Sequence, residues 1–211
     1  MYIYLEGNIG SGKSTFVSLI SKILNDCIFV QEPVDEWLKT KDNQGVNILD
    51  KFYSDTKKWA FPFQMCTYIT RVQKISKIPQ NKLAIIEMSV YTDKNCFCKS
   101  LYESKQMDDI EWKLYNDWFG WLNNTFHTEP NGYIYLKTDP KICFKRIKKR
   151  SRNEETTISL DYLTNLHDKH EEWMNKQDIP VLTIDVSQDF EHNHGRLNKI
   201  ISNVQEFIKN I

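Results

Sequence analysis

The chain has no surplus of either charge, because 28 Lys and Arg residues balance 28 Asp and Glu residues. Proteins that bind nucleic acid through its phosphates ordinarily carry a net basic face, so this balance argues against a nucleic-acid partner. The chain also has no uninterrupted apolar run near the roughly 20 residues that span a bilayer, so we expect no membrane partner. The opening MYIYLEGN lacks the basic and apolar regions of a signal peptide, and we expect a cytoplasmic location.

Cysteine is scarce and unpatterned. The chain holds five cysteines, an odd number, whereas a disulfide framework is typical of short secreted chains with an even number. The closest pair, Cys96 and Cys98, lacks the C-x-x-C spacing of redox and zinc sites. We therefore predict free thiols in a reducing compartment.

Short apolar runs alternate with segments of helical periodicity along the whole chain. The predicted strands are residues 1–6, 27–31, 83–86, 132–137 and 181–186. Helical spacing extends through Leu24 and over 46–78, 92–103, 108–125, 160–176 and 197–208, and Asp139 with Pro140 predicts a further helix start. This alternation predicts an α/β fold, with a doubly wound five-stranded parallel sheet and helices on both faces, in one domain over 1–211. Ligands of such sheets bind beyond the carboxyl ends of the strands.

A glycine-rich segment follows the first strand. Residues 7–14, GNIGSGKS, match the phosphate-binding pattern G-x-x-x-x-G-K-[ST] in full, between a strand and a helix as the pattern requires. Lys13 is expected to bridge the β- and γ-phosphates of a nucleotide, and Ser14 to bind Mg²⁺. A glycine-rich turn that matches by chance is the alternative. The predicted nucleotide-binding residues of this segment are Gly7, Asn8, Ile9, Gly10, Ser11, Gly12, Lys13, Ser14 and Thr15.

Two acidic residues end strands at the same predicted edge. Glu32 follows the second strand, where a carboxylate can accept the proton of a substrate hydroxyl that attacks a phosphoryl group. Glu87 ends the third strand, where P-loop proteins often place an acid that orients the metal. A solvated loop acid is the alternative for Glu32, and a capping acid is the alternative for Glu87.

Arginine is rare, with five among the 28 basic residues, and three of them are Arg146, Arg150 and Arg152. A run of charge is usually a solvated helix face. Because guanidinium forks match phosphoryl oxygens and acidic residues follow directly, we instead predict a short arginine lid over about 149–157. Arg150 and Arg152 are expected to reach the transferred phosphoryl group.

These segments together resemble the deoxynucleoside kinase family, closest to its deoxycytidine and deoxyguanosine kinase branch. The matching strings include EGNIGSGKST (6–15), EPVDEW (32–37), SVYTDKNCF (89–97), LYESKQMDDIEWKLYNDW (101–118), RSRNEE (150–155), LDYLTNLHDKHEEW (160–173) and VLTIDVSQDF (181–190). The resemblance implies a P-loop kinase fold and ATP-dependent phosphorylation of the 5′-hydroxyl of a deoxynucleoside in nucleotide salvage.

The resemblance also implies roles for individual residues. Glu32 is similar to the family's general base, and Glu87 is expected on both the metal side and the substrate side of the site. Tyr53 and Glu155 resemble the pair that holds the 3′-hydroxyl. On the donor side, Arg146 resembles the residue that stacks on adenine, and Asp189 and Phe190 fall in the loop around the donor base.

The resemblance also implies which residues contact the nucleobase of the acceptor. Gln64 and Asp93 match the residues that hydrogen-bond the base, with Arg71 orienting Asp93. Trp37, Phe63 and Phe97 match the aromatic residues that enclose the ring, with plain core packing as the alternative.

The resemblance further implies small-molecule and protein partners. The expected phosphate donor is ATP or UTP with Mg²⁺, and a deoxynucleoside triphosphate is expected as a feedback inhibitor. The family forms homodimers through helices, so we expect a homodimer, with the Trp-rich helix at 108–122 as a candidate surface.

One position departs from the family. The family has Arg directly after the strand-end Glu, where this chain has Met88, and a thioether offers no charge and no fork of donors. Two further hypotheses therefore stay open beside a deoxynucleoside kinase. One is a deoxynucleoside monophosphate kinase, for which Arg71 and Lys94 are the evident residues to hold the acceptor's phosphate. The other is an impaired nucleotide-binding subunit that regulates an active kinase.

Overall fold

The five predicted strands form one sheet in which every pairing is parallel. The structure is a computed structural model that describes residues 1–211. Its strands are β1 (Tyr2–Glu6), β2 (Cys27–Val30), β3 (Leu83–Glu87), β4 (Gly132–Lys137) and β5 (Val181–Asp185). Their order across the sheet is β2-β3-β1-β4-β5. The predicted five-stranded parallel sheet is confirmed.

Ten α-helices connect or follow these strands. They are α1 (Lys13–Ile20), α2 (Val34–Lys39), α3 (Ile48–Ser54), α4 (Thr56–Ile75), α5 (Val90–Thr92), α6 (Lys99–Glu103), α7 (Asp109–Phe126), α8 (Pro140–Arg150), α9 (Leu160–Met174) and α10 (His194–Asn210). A π-helical turn, Asp93–Cys98, joins α5 to α6, and a 3₁₀ turn, Asn153–Glu155, follows α8. No helix is both long enough and apolar enough to cross a membrane.

Two helical features differ from the sequence prediction, and a third confirms it. The single helix predicted over 46–78 is two helices, because Asp55 leaves the helical conformation and its side chain accepts the backbone N–H of Lys58 to start α4. The short helix α2 was not predicted, since six residues are too few to show a clear periodicity. Asp139 caps α8 with Pro140 at its first position, as predicted.

Hydrophobic residues cover both faces of the sheet. Ile3 and Leu5 of β1 pack on one side in a cluster with residues of α1 and α10, whereas Tyr4 packs on the other side with Ile75 of α4 and Met174 of α9. This alternation follows the two-residue repeat of a strand. Helices on both faces are therefore confirmed, and the carboxyl ends of the strands are left to face a cavity.

Candidate active site

A cavity of about 690 Å³ opens at the carboxyl ends of the strands. It is lined by most of the residues that the sequence predicted for the site. These are Ile9, Gly10, Gly12, Lys13, Ser14, Thr15, Glu32, Trp37, Tyr53, Phe63, Gln64, Arg71, Glu87, Asp93, Phe97, Arg146, Arg150, Arg152, Glu155, Asp189 and Phe190. Three of the predicted residues do not line the cavity: Gly7, Asn8 and Ser11. They belong to the part of the phosphate-binding loop that faces away from the cavity.

The phosphate-binding loop requires glycine for steric reasons. Gly7 has a φ of +149°, and a Cβ atom there would lie 2.7 Å from Ser11 Oγ and 2.8 Å from the carbonyl oxygen of Leu136. Asn8 braces the loop, donating from Nδ2 to the Leu163 carbonyl at 2.8 Å. Lys13 Nζ donates to the carbonyl oxygens of Gly7 at 2.8 Å and Asn8 at 3.0 Å. Helix α1 starts at Lys13. The backbone N–H groups of the loop, the positive end of the helix dipole and the Lys13 ammonium group therefore lie together, as an anion-binding site requires.

Glu87 connects the phosphate loop to the end of β2. Its Oε1 accepts the hydroxyl of Ser14 at 2.7 Å, and its Oε2 accepts the backbone N–H of Glu32 at 3.4 Å. Burial, followed by the nearby negative charge of Glu32, raises the pKa of the Glu87 carboxyl. The Ser14 hydroxyl and the Glu87 carboxylate are hard oxygen ligands that suit Mg²⁺. No three His, Cys, Asp or Glu side chains cluster as a metal cage, but Mg²⁺ ordinarily takes its other ligands from water and phosphates.

A buried arginine links Glu32, the predicted general base, to Asp93, the acid predicted to bind the nucleobase. Arg71 Nη2 lies 2.5 Å from Glu32 Oε1, and Arg71 Nε lies 3.3 Å from Asp93 Oδ2. The sequence predicted the contact with Asp93 but not the one with Glu32, because no motif links positions 32 and 71. Burial raises the pKa of the Asp93 carboxyl to about 7, although Arg71 acts in the opposite direction.

The aromatic residues form one wall of the cavity. Trp37 and Phe63 meet edge to face with centroids 5.5 Å apart, and Phe52 stacks on Phe63 at 4.5 Å. Phe52 lines the cavity although it was not predicted as a site residue. Gln64 Oε1 lies in this wall, buried and without a hydrogen-bond partner in the chain. A flat apolar slot with an unpartnered amide oxygen suits a heterocyclic base.

The predicted lid places both of its arginines on one carboxylate. Arg150 and Arg152 each form an ion pair with Glu155, the latter at 2.7 Å. Arg146 donates to the carbonyl oxygens of Ser11 at 3.1 Å and of Val186 at 2.7 Å. The lid thus rests on the residue that was predicted to hold the 3′-hydroxyl, a contact that sequence spacing alone did not indicate.

Lys149 and Tyr162, to which the sequence assigned no individual role, also line the cavity. Lys149 precedes the lid arginines, and Tyr162 on α9 packs near Tyr53 against the cluster that contains Ile158. Lys149 is the first residue of the lid predicted over about 149–157, so its charge was a usable signal. Tyr162 carries no local motif and reaches the site only through the packing of α9.

A parallel sheet in this strand order, with a phosphate loop after β1 and acidic residues at the ends of β2 and β3, defines a P-loop phosphotransferase. The family model of the deoxynucleoside kinases matches residues 3–209, and the chain belongs to that family. Membership makes it a deoxynucleoside kinase, which phosphorylates nucleosides in salvage.

Several relatives are similar over nearly the whole chain. The "Probable deoxycytidine kinase" of Fowlpox virus is 40% identical over 99% of this chain and 88% of its own length. The deoxycytidine kinase of Bos taurus is 36% identical over 99% of this chain and 91% of its own length. The mitochondrial deoxyguanosine kinase of Xenopus laevis is 34% identical over 97% of this chain and 88% of its own length. The expected family is confirmed.

Proposed function

We propose that the protein transfers the γ-phosphoryl group of ATP, or of UTP, to the 5′-hydroxyl of a deoxynucleoside, with Glu32 as general base. The observation that carries this proposal is the link from the phosphate loop to Glu32 through Glu87, within one cavity. A carboxylate beside a phosphate cradle is positioned to take the hydroxyl proton as the oxygen attacks in line.

The donor half of the site is the phosphate loop with the residues beside it. Lys13 would neutralise the β- and γ-phosphates, while Ser14 and Glu87 would hold and orient Mg²⁺, which supplies charge stabilisation when bound. Phe190 packs next to the loop, since a Cβ on Gly12 would lie 3.4 Å from its ring. Phe190, with Asp189 and Arg146, would then enclose the donor base.

The acceptor half combines a polar sugar site with a flat base site. Tyr53 and Glu155 would bind the 3′-hydroxyl, and a hydroxyl at Glu155 would compete with the lid arginines for its oxygens. Gln64 and Asp93 would bind the base edge between the aromatic rings. The relatives named as deoxycytidine kinases favour deoxycytidine as the first acceptor to test.

The proposal is tested with Glu32→Gln, which keeps the side-chain size and removes the proton acceptor. ADP release is measured with Mg²⁺ and ATP for the four deoxynucleosides. We expect kcat to fall by about 10²–10⁴ while ATP binding persists. Glu36→Gln is the matched control, because Glu36 lies one turn away on α2 with 46% of its side chain exposed. Full turnover by Glu32→Gln would refute the proposal.

The monophosphate kinase hypothesis finds less support in the geometry. Such an enzyme needs a free cation for the acceptor's own phosphate, but Arg71 is already paired with Glu32 and Asp93. Lys94 lies over the Phe119 ring at 4.2 Å and does not line the cavity. Deoxycytidine monophosphate, tested beside deoxycytidine, is expected to be the poorer acceptor.

The proposed homodimer has a candidate surface on α7. Ile110, Leu114, Trp118 and Trp121 are exposed at helical spacing, with Trp121 at 58%. Apolar patches of this kind mark interfaces. Sedimentation of Trp118→Glu should show a monomer where the unaltered chain is a dimer, with Asn124→Glu on the same helix as the control.

Two further parts of the proposal concern regulation and location. A deoxynucleoside triphosphate would bind across both halves of the cavity and inhibit, which competition against ATP and acceptor would reveal. We propose a cytoplasmic location, which the five free cysteines support because disulfides are rare in reducing compartments.

A further inference from the structure

A single cation contacts the carboxylate of Glu32, and it comes from the wall of the cavity rather than from the phosphate loop. Arg71 on α4 donates from Nη2 to Glu32 Oε1 at 2.5 Å, and Glu32 forms no other ion pair. Lys13, the cation of the loop, donates instead to backbone carbonyl oxygens. The position of the carboxylate therefore depends on Arg71.

Arg71 is itself held in place on several sides. Its side chain is 4% exposed, its Nε pairs with Asp93 at 3.3 Å, and its guanidinium carbon lies 5.1 Å from the centre of the Trp37 ring. A planar guanidinium fixed by an ion pair and an aromatic face has little rotational freedom. It can thus hold Glu32 in one orientation while Oε2 makes no hydrogen bond within the chain.

Met88 explains why this contact matters in this chain. It directly follows Glu87, is 2% exposed and lines the same cavity, with a φ of +64° and its backbone N–H donated to the Leu5 carbonyl. Its thioether cannot donate to a carboxylate. No positive charge therefore reaches Glu32 from the end of β3.

We infer that Arg71 is a positioning residue for the phosphoryl-transfer step, holding Glu32 toward the acceptor hydroxyl in place of a cation at position 88. The inference rests on the proposed function of Glu32 as general base. Arg71 also pairs with Asp93, the acid proposed to bind the nucleobase. The same side chain therefore couples nucleobase binding to the orientation of Glu32.

The first experiment removes the guanidinium group of Arg71 and tests whether an arginine at position 88 can replace it. Arg71→Lys, Met88→Arg and the double variant are compared for kcat and for the KM of deoxycytidine and of ATP. Arg71→Lys should lower kcat by about 10²-fold, the range for a lost donor at an electrostatic site, with the KM of ATP unchanged within threefold. In the Met88→Arg background the kcat loss should shrink at least tenfold.

The KM of deoxycytidine separates positioning from a merely structural role. This KM should rise in Arg71→Lys, which weakens the partner of Asp93. It should stay raised in the double variant, because the arginine introduced by Met88→Arg would lie beside Glu32 and would not replace Arg71 at Asp93. Arg196→Lys on α10 is the matched control, since Arg196 does not line the cavity. Equal kcat losses for Arg71→Lys in both backgrounds, or an unchanged kcat, would overturn the inference.

Met88→Arg alone decides the question if Arg71→Lys does not fold in a melting experiment. Because Arg71 already holds Glu32, the single variant should change kcat less than threefold. A hundredfold rise would overturn the inference and support the impaired-subunit hypothesis. Failure of the proposed function is distinguishable, because Glu32→Gln would then retain kcat, whereas failure of this inference alone leaves Glu32→Gln inactive.

Discussion

Asp93 is expected to make the protein less stable as the pH rises from 5 to 8. Burial raises the pKa of its carboxyl from 3.8 to about 7 in the folded protein. The unfolded chain titrates near the ordinary value, so between the two pKa values the folded protein holds a proton that the unfolded chain has released. The stabilisation is present in full below the unfolded pKa and is lost as the pH rises through the folded one.

The size of this loss follows from the two pKa values. Each pH unit between them lowers the free energy of unfolding by about 1.4 kcal/mol. From pH 5 to pH 8 the loss through Asp93 is therefore about 3 kcal/mol, since roughly two units lie below the folded pKa. Glu6 and Glu87, whose pKa values burial also raises, contribute in the same direction to wild type and variant and largely cancel in a comparison.

Asp93→Asn removes the titrating proton and nearly preserves the shape of the side chain. Urea unfolding at pH 5, 6, 7 and 8, followed by tryptophan fluorescence, should show a pH dependence about 3 kcal/mol smaller in the variant than in the wild type. Asp117→Asn is the control, because Asp117 lies on α7 with 59% of its side chain exposed, and it should parallel the wild type. Parallel curves for wild type and Asp93→Asn would show that the ion pair with Arg71 offsets the burial of Asp93.

Three further substitutions test the fold. Gly10→Ala should lower the melting temperature and weaken ATP binding in a titration, because its Cβ would lie 2.7 Å from the Cys143 carbonyl at a φ of +78°. Asp108→Ala removes the capping box of α7 and should cost about 0.5–2 kcal/mol in urea unfolding. Ile134→Ala in the fully buried centre of β4 should cost about 2–5 kcal/mol in the same assay.

The sheet and the phosphate loop were predictable because their signals are local. A buried strand is a short apolar run, and the loop after β1 needs glycines at fixed spacing, so both could be read within short windows of sequence. The cap at Asp139 is local in the same way. The break at Asp55 was missed because apolar spacing continues across it, and only the side-chain bond to Lys58 marks the new helix.

The contacts within the site were less predictable because they join distant parts of the chain. Glu32 and Arg71 are 39 residues apart, and their pairing depends on how α4 packs beside the end of β2. The lid residues Arg150 and Arg152 are close to Glu155 in sequence, but two arginines on one carboxylate had no signal in the spacing alone. The resemblance predicts which residues belong to the candidate site, whereas the structure shows which of them touch.

The π-helical turn at Asp93–Cys98 has a consequence for the length of this segment. A π turn contains one residue more than an α turn, so losing any one residue here would restore an ordinary helical repeat. The extra residue is accommodated within the turn, so the helix beyond it would keep its orientation, whereas the same loss from a regular α turn would rotate it by about 100°. Leu101, 3% exposed in the hydrophobic cluster beside α7, would stay buried. A one-residue deletion in this turn is therefore expected to preserve the packing of α6 and to displace the cavity-lining side chains of Asp93 and Phe97.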